Sequence, residues 1–162
     1  MPSQRNWAWP SLAGGLLLAA GMSEERADFA APPQRLAEEA LAGPVRAVVE
    51  RVVDGDTVDV RARIWLGQSL TVRVRIDGVD TPEMRSDCAD ERRLAVAARD
   101  YLARRLLNKE IITLLRVVYD KFGGRVRADI SDSDGDIAKA LLEAGFARPY
   151  RGERREPWCA TG

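Results

Sequence analysis

The sequence predicts an α+β domain: a small five-stranded Greek-key β-barrel of the OB type, with two helices and a shortened C-terminus. Three observations carry that prediction. Five short stretches beyond Pro44 are β-branched or alternate apolar with polar residues, as strands with one buried face do. Two longer stretches, one after the third strand and one near the end, repeat at helical spacing. The 162 residues are 46% apolar and 31% charged, which fits about one globular domain.

In chain order, Val45 to Val53 is a β-branched run. Thr57 to Leu66 alternates, with Val58, Val60, Ala62, Ile64 and Leu66 expected inward and Asp59, Arg61, Arg63 and Trp65 outward. After a turn at Gly67-Gln68 the pattern resumes. Leu70, Val72, Val74 and Ile76 make its apolar face and Arg73, Arg75 and Asp77 its polar one, so this third strand is read as a hairpin partner. From Asp90 to Leu107 the period becomes helical, with Leu94, Ala98, Tyr101 or Leu102, and Leu106 on one stripe. Residues 110–118 return to strand, Phe122-Gly123-Gly124 turns, and Arg125 to Ser131 points Val126, Ala128 and Ile130 inward. A second helix starts at Asp136, a capping residue, and stops at Gly145.

Residues 1–22 read as a signal peptide or an N-terminal membrane anchor. Trp7 to Met22 carries no charge, is shorter than the ~20 residues of a usual span, and has a leucine–alanine core the size of a signal-peptide h-region. The expectation is a periplasmic or secreted protein, or one tethered through residues 7–22 with its domain outside the cytoplasm. No cysteine precedes Cys88, which excludes a lipoprotein anchor. Residues 23–43 contain Pro32-Pro33 and a short helical pattern stopped by Gly43-Pro44, and read as a linker to the domain at 44–162.

The chain contains no histidine, which removes Ser-His-Asp and Cys-His nucleophile pairs, histidine zinc sites and imidazole bases. Chemistry must run on carboxylates, arginines or a bound metal. All but three of the 25 cations are arginine, the side chain that grips oxyanions bidentately. From Pro44 onward there are 22 cations against 20 anions, too small an excess to attract nucleic acid over long range. Cys88 and Cys159 lie too far apart in sequence for thiolate metal binding. In an exported protein they would form a disulfide worth ~4 kcal/mol, tethering the short charged tail; in the cytosol they would be two thiols.

Two acidic clusters invite metal readings. Asp132-Ser133-Asp134-Gly135-Asp136 fails the calcium-loop register, because Ile130 and Leu141 fall where carboxylates are needed, and reads as a turn and helix cap. Asp54-Gly55-Asp56-Thr57 and Asp80-Thr81-Pro82-Glu83 differ: if the second and third strands form a hairpin, they meet at one end. Asp56, Asp80 and Glu83 would then repel one another unless a cation or arginine neutralised them, and hard oxygen ligands favour calcium or magnesium. Arg75, on the polar face of the same strand, reaches that end, and Arg125 is a second candidate. A metal, two arginines and a spare carboxylate equip a site for phosphodiester hydrolysis. Asp-Gly and Thr-Pro are also ordinary turn dipeptides.

The segments Val53-Asp54-Gly55-Asp56-Thr57, Val74 to Glu83, and Asp120-Lys121-Phe122-Gly123-Gly124-Arg125, continued through Ala140 to Ala147, resemble the staphylococcal nuclease-like, or thermonuclease, family. The resemblance covers roughly Val45 to Tyr150. It implies an OB barrel that hydrolyses DNA and RNA with one calcium ion, cutting the 5′-oxygen side to leave 3′-phosphates, and a monomer is expected. Position by position it implies Asp56 and Asp80 as metal carboxylates, Thr81 as a main-chain ligand and Asp54 as an acidic neighbour of the metal. Glu83 matches the general base, Arg75 and Arg125 the phosphate-binding arginines, and Lys121, Phe122 and Tyr150 fall on the substrate side.

Three departures accompany the match. An extra glycine separates Phe122 from Arg125, Phe122 replaces a frequent tyrosine, and a short tail from Arg151 to Cys159 stands in place of a long third helix. The alternative, a catalytically silent OB module binding single-stranded nucleic acid or a protein, draws on the near-neutral charge.

Overall fold

The computed structural model describes residues 40–109 and 111–159. The leader at 1–22, and the linker as far as residue 39, lie outside the described residues. Among the described residues no helix is long and apolar enough to cross a membrane.

The elements in chain order are β1 (Ala40–Leu41), β2 (Val45–Asp54), β3 (Thr57–Trp65), β4 (Gln68–Ile76), β5 (Val79–Asp80) and α1 (Ala89–Leu106), followed by β6 (Ile112–Tyr119), β7 (Arg125–Asp132), β8 (Gly135–Asp136), α2 (Ile137–Glu143) and β9 (Arg148–Pro149). Five of the strands close a barrel. β2, β3 and β4 form an antiparallel meander, β4 pairs in parallel with β7, and β6 bridges β7 back to β2. β1 and β8 extend this sheet, while β5 and β9 form a separate pair beside it. The architecture is the five-stranded mixed barrel with two helices that the pattern predicts.

Alternation puts Val58 and Val60 of β3, Val74 and Ile76 of β4, Ile112 and Leu114 of β6, and Ala128 and Ile130 of β7 in one buried cluster. Leu102 and Leu106 of α1, and Ile137 and Leu141 of α2, complete it. Each large aliphatic group so buried contributes about 1.5–3 kcal/mol. Asp136 caps α2 by accepting from Lys139 N at 2.7 Å, and Asp132 accepts from Asp134 N at 2.8 Å in the preceding turn. The Asp132–Asp136 cluster is thus a turn and a cap.

The structure corrects two of the expected faces. Ile64, Leu66 and Leu70 are exposed, Leu66 at 85%, together with Trp65. The β3–β4 ladder runs on to Trp65↔Gln68, whereas β2 accompanies β3 only as far as Ala62. The hairpin therefore projects past the barrel wall, and its alternation continues where there is nothing left to cover it. On α1 the buried face is Ala95, Ala98, Leu102 and Leu106, with Leu94 exposed. The helix crosses the Asp54–Asp56 turn so closely that only small side chains fit. Tyr101 lies at the edge, its ring centroid 4.8 Å from that of Phe146 and its hydroxyl donating to Ala140 O at 3.4 Å.

Candidate active site

The site begins at the turn between β2 and β3. Gly55 is required there by contact: a Cβ at this position would lie 2.9 Å from the Cβ atoms of Ala98 and Thr81. The Asp54 carboxylate accepts from Asp56 N at 3.2 Å, tightening the turn and driving the Asp56 side chain inward. Asp56 is buried; its Oδ1 accepts from Thr57 Oγ1 at 2.9 Å.

The β3–β4 register sets Thr57 against Arg75, and Ile76 N donates to Asp56 O at 2.8 Å. Arg75 consequently stands beside Asp56, with Nη1 2.6 Å from Oδ2, and its side chain is only 10% exposed. Its Nη2 donates to Val79 O at 3.2 Å and lies 3.9 Å from Asp80 Oδ1. Burial pushes the Asp56 carboxyl from 3.8 up to about 7, against the pull of Arg75 and with a further push from Asp54. Arg75 is close to Asp56 Oδ2, but no hydrogen bond is directed at that oxygen, nor at Asp80 Oδ1. Guanidinium charge holds both oxygens instead, Arg75 at Asp56 Oδ2 and Arg155 at Asp80 Oδ1.

Asp80 and Thr81 are buried at the end of β5, and the Glu83 side chain is 53% exposed. A cleft of about 1120 Å³ gathers Asp54, Asp56, Arg75, Thr81 and Glu83 with Lys121, Phe122, Arg125 and Tyr150. Asp80 opens onto an adjoining recess that shares Thr81 and Glu83. All the residues singled out from sequence around the carboxylates therefore border one connected region. Arg125 also lines the cleft, on the strand beside the one that carries Arg75; its Nε pairs with the Asp120 carboxylate and its guanidinium sits 4.9 Å over the Phe122 ring. Lys121 Nζ approaches the same ring at 5.2 Å. Arg127, which alternates with the inward Val126 and Ala128, also lines the cleft and pairs with Asp77 at 2.7 Å.

The larger omission is the tail. Cys88 is joined to Cys159, with Cα atoms 6.5 Å apart. This lays residues 151–158 along the site. Arg155 Nε lies 2.8 Å from Asp80 Oδ1 and its Nη1 pairs with Glu83 Oε1. Trp158 Nε1 donates to Asp80 Oδ2 at 3.2 Å. The signal was present in the spacing, since Cys88 follows Glu83 by five residues and its pairing with Cys159 draws Arg155 and Trp158 toward Asp80.

Among the described residues no three His, Cys, Asp or Glu side chains converge closely enough to cage a metal unaided. Two buried carboxylates whose oxygens are held by guanidinium charge, Asp56 Oδ2 by Arg75 and Asp80 Oδ1 by Arg155, nevertheless fit a hard cation that keeps part of its water shell.

Comparison with known proteins fits this geometry. A curated relative, Endonuclease YhcR of Bacillus subtilis (strain 168), is 29% identical over 137 residues, which is 80% of this chain and 11% of that protein. The chain thus spans about a tenth of that relative's length. The family model for staphylococcal nuclease homologues matches residues 73–158, from the strand that carries Arg75 to the tryptophan that touches Asp80. With more than half of its residues under that model, the chain belongs to the staphylococcal nuclease homologue family.

Proposed function

We propose that the domain is a calcium-dependent endonuclease that hydrolyses phosphodiester bonds of DNA and RNA, breaking the 5′-O–P bond and leaving 3′-phosphates. The observation that carries this reading is the pair of buried carboxylates, Asp56 and Asp80, which line two adjoining recesses beside Arg75 and Glu83 and meet only guanidinium charge at Oδ2 and Oδ1. One calcium ion would be held by Asp56, Asp80 and the Thr81 carbonyl, with Asp54 as its acidic neighbour. When bound, it supplies Lewis-acid polarisation of a phosphoryl oxygen.

The chain's own residues do the rest. Arg75, fixed by Val79 O, offers its fork to the charge that develops on phosphorus. Glu83 is exposed enough to meet a water molecule and takes its proton as the oxygen attacks. The bond to the 5′-oxygen then breaks, that oxygen takes a proton from solvent water and leaves as a hydroxyl, and Arg125 offers a second guanidinium to the phosphate charge. Phe122 offers a stacking face to a base, while Lys121 and Tyr150 border the path of the strand. The Cys88–Cys159 bond suits an oxidising compartment, in keeping with export or a tether through residues 7–22. The nuclease is read as a monomer.

A plasmid-nicking assay on the purified chain tests the reading. Nicking with calcium, lost on chelation and in Asp56→Asn, is the expected result. Nucleic-acid binding without cleavage under any divalent cation would replace the enzyme with a silent binding module.

A further inference from the structure

Residues 150–158 form a strap across the mouth of the site, pinned at both ends. At one end β9 pairs with β5, placing Arg148 opposite Asp80, and Tyr150 N donates to Gly78 O at 2.9 Å. At the other, Cys159 is bonded to Cys88. Arg148 clamps the strap close to that second end: its guanidinium sits 3.9 Å over the Trp158 ring and donates to Pro157 O at 3.1 Å.

The strap delivers its polar groups to the carboxylates. Asp80 has Arg155 at one oxygen and Trp158 at the other, and the same guanidinium reaches Glu83. Arg75 and Arg155 both serve the acidic cluster, but they differ in freedom. Arg75 is 10% exposed and locked by Val79 O; Arg155 is 38% exposed and held through the strap alone. A divalent cation and the Arg155 guanidinium cannot share Asp80 Oδ1, because like charges at contact distance repel strongly away from bulk water. Pinning both ends gives Arg155 a high local concentration at the carboxylates, so displacing it requires more cation than a free side chain would.

We propose that the strap is a gate: Arg155 is the internal counter-cation of Asp80 and Glu83, a divalent cation enters only as Arg155 leaves, and the Cys88–Cys159 bond sets how strongly the gate resists. The gate rests on the calcium reading above and adds to it a residue that governs the site's cation threshold. The strap residues touch Asp80 and Glu83 and leave Asp56 and Arg75 to the barrel, so opening it does not dismantle the site.

Calorimetric titration of the full chain with calcium provides the test. Arg155→Gln, with the disulfide intact, should bind calcium about tenfold or more tightly than wild type, the size expected when one charge-assisted contact no longer competes. Arg155→Lys should restore most of the resistance, which a purely structural role in the strap would not predict. Cys88→Ser/Cys159→Ser should bind more tightly than wild type, and affinity equal to wild type removes the disulfide from the gate. Equal calcium affinity in wild type and Arg155→Gln overturns the gate while leaving the calcium-dependent nuclease standing. Absence of calcium binding in both overturns the cation reading and the gate together.

Discussion

Arg75 and Asp56 meet across the β3–β4 pairing with Nη1 2.6 Å from Oδ2, and both side chains are buried. The arginine does not fully neutralise its partner, since burial still holds the Asp56 carboxyl at about 7. The turn therefore stores a charge problem that barrel packing sustains and that a cation would relieve.

The first prediction concerns pH. The folded Asp56 carboxyl is raised from 3.8 to about 7, so the fold binds this proton more tightly than the unfolded chain does. The associated stability is fully present below about pH 3.8 and is lost as pH rises to about 7. In chelator, Asp56→Asn should accordingly be more stable than wild type at pH 8, on the order of 2 kcal/mol, with the advantage shrinking toward pH 4. Urea melts at the two pH values measure it; an equal difference at both would assign the effect to packing.

Calcium should raise the melting temperature of the wild type, because a ligand that binds only the folded state stabilises it by mass action. Asp80→Ala should show no such shift. If both shift equally, the ion binds away from Asp80, and the Asp132–Asp136 turn is the next place to look.

Glu83 separates catalysis from folding. Its side chain is half exposed and its Arg155 contact lies at the surface, so removing the charge should cost less than about 1 kcal/mol. As a general base it should contribute roughly 10² to 10⁴ to turnover. Glu83→Gln should melt close to wild type and lose that factor at saturating calcium. Turnover within about threefold of wild type would remove Glu83 from the chemistry.

Gly55→Ala should destabilise by about 1–3 kcal/mol, because the new methyl meets Cβ atoms of Ala98 and Thr81 that cannot swing aside. Denaturant melts of this variant against Gly78→Ala distinguish crowding from backbone strain, since Gly78 has open space but a φ of +79°. A neutral Gly55→Ala would mean that α1 can retreat from the turn.

What could be read from sequence was what local pairing decides. Alternation in β3 and β4 identified Val58, Val60, Val74 and Ile76 as core, and the hairpin they imply brings Asp56 to Arg75. Local pattern could not show where β2 stops accompanying β3, so Ile64, Leu66 and Leu70 were placed inside. It could not show that α1 approaches the turn too closely for Leu94, leaving Ala95 to face inward. Arg155 was missed for a similar reason: the strap has no periodicity, and a disulfide and an arginine–tryptophan contact set its course.

The parallel seam between β4 and β7 has a kinetic consequence. The β2–β3–β4 meander closes through short loops, and it already contains Asp56 and Arg75. The seam that sets Arg73 against Arg125 must wait until α1 and β6 have been brought around, and loop-closing entropy opposes it until then. Asp56 and Arg75 can therefore come together before Arg125 is brought alongside, whereas Asp80, on the strand that pairs with β9, waits for the end of the chain. A chain caught short of ring closure would carry Asp56 and Arg75 without Arg125 and without the pairing that holds Asp80, and cutting competence would arrive with the final step of folding.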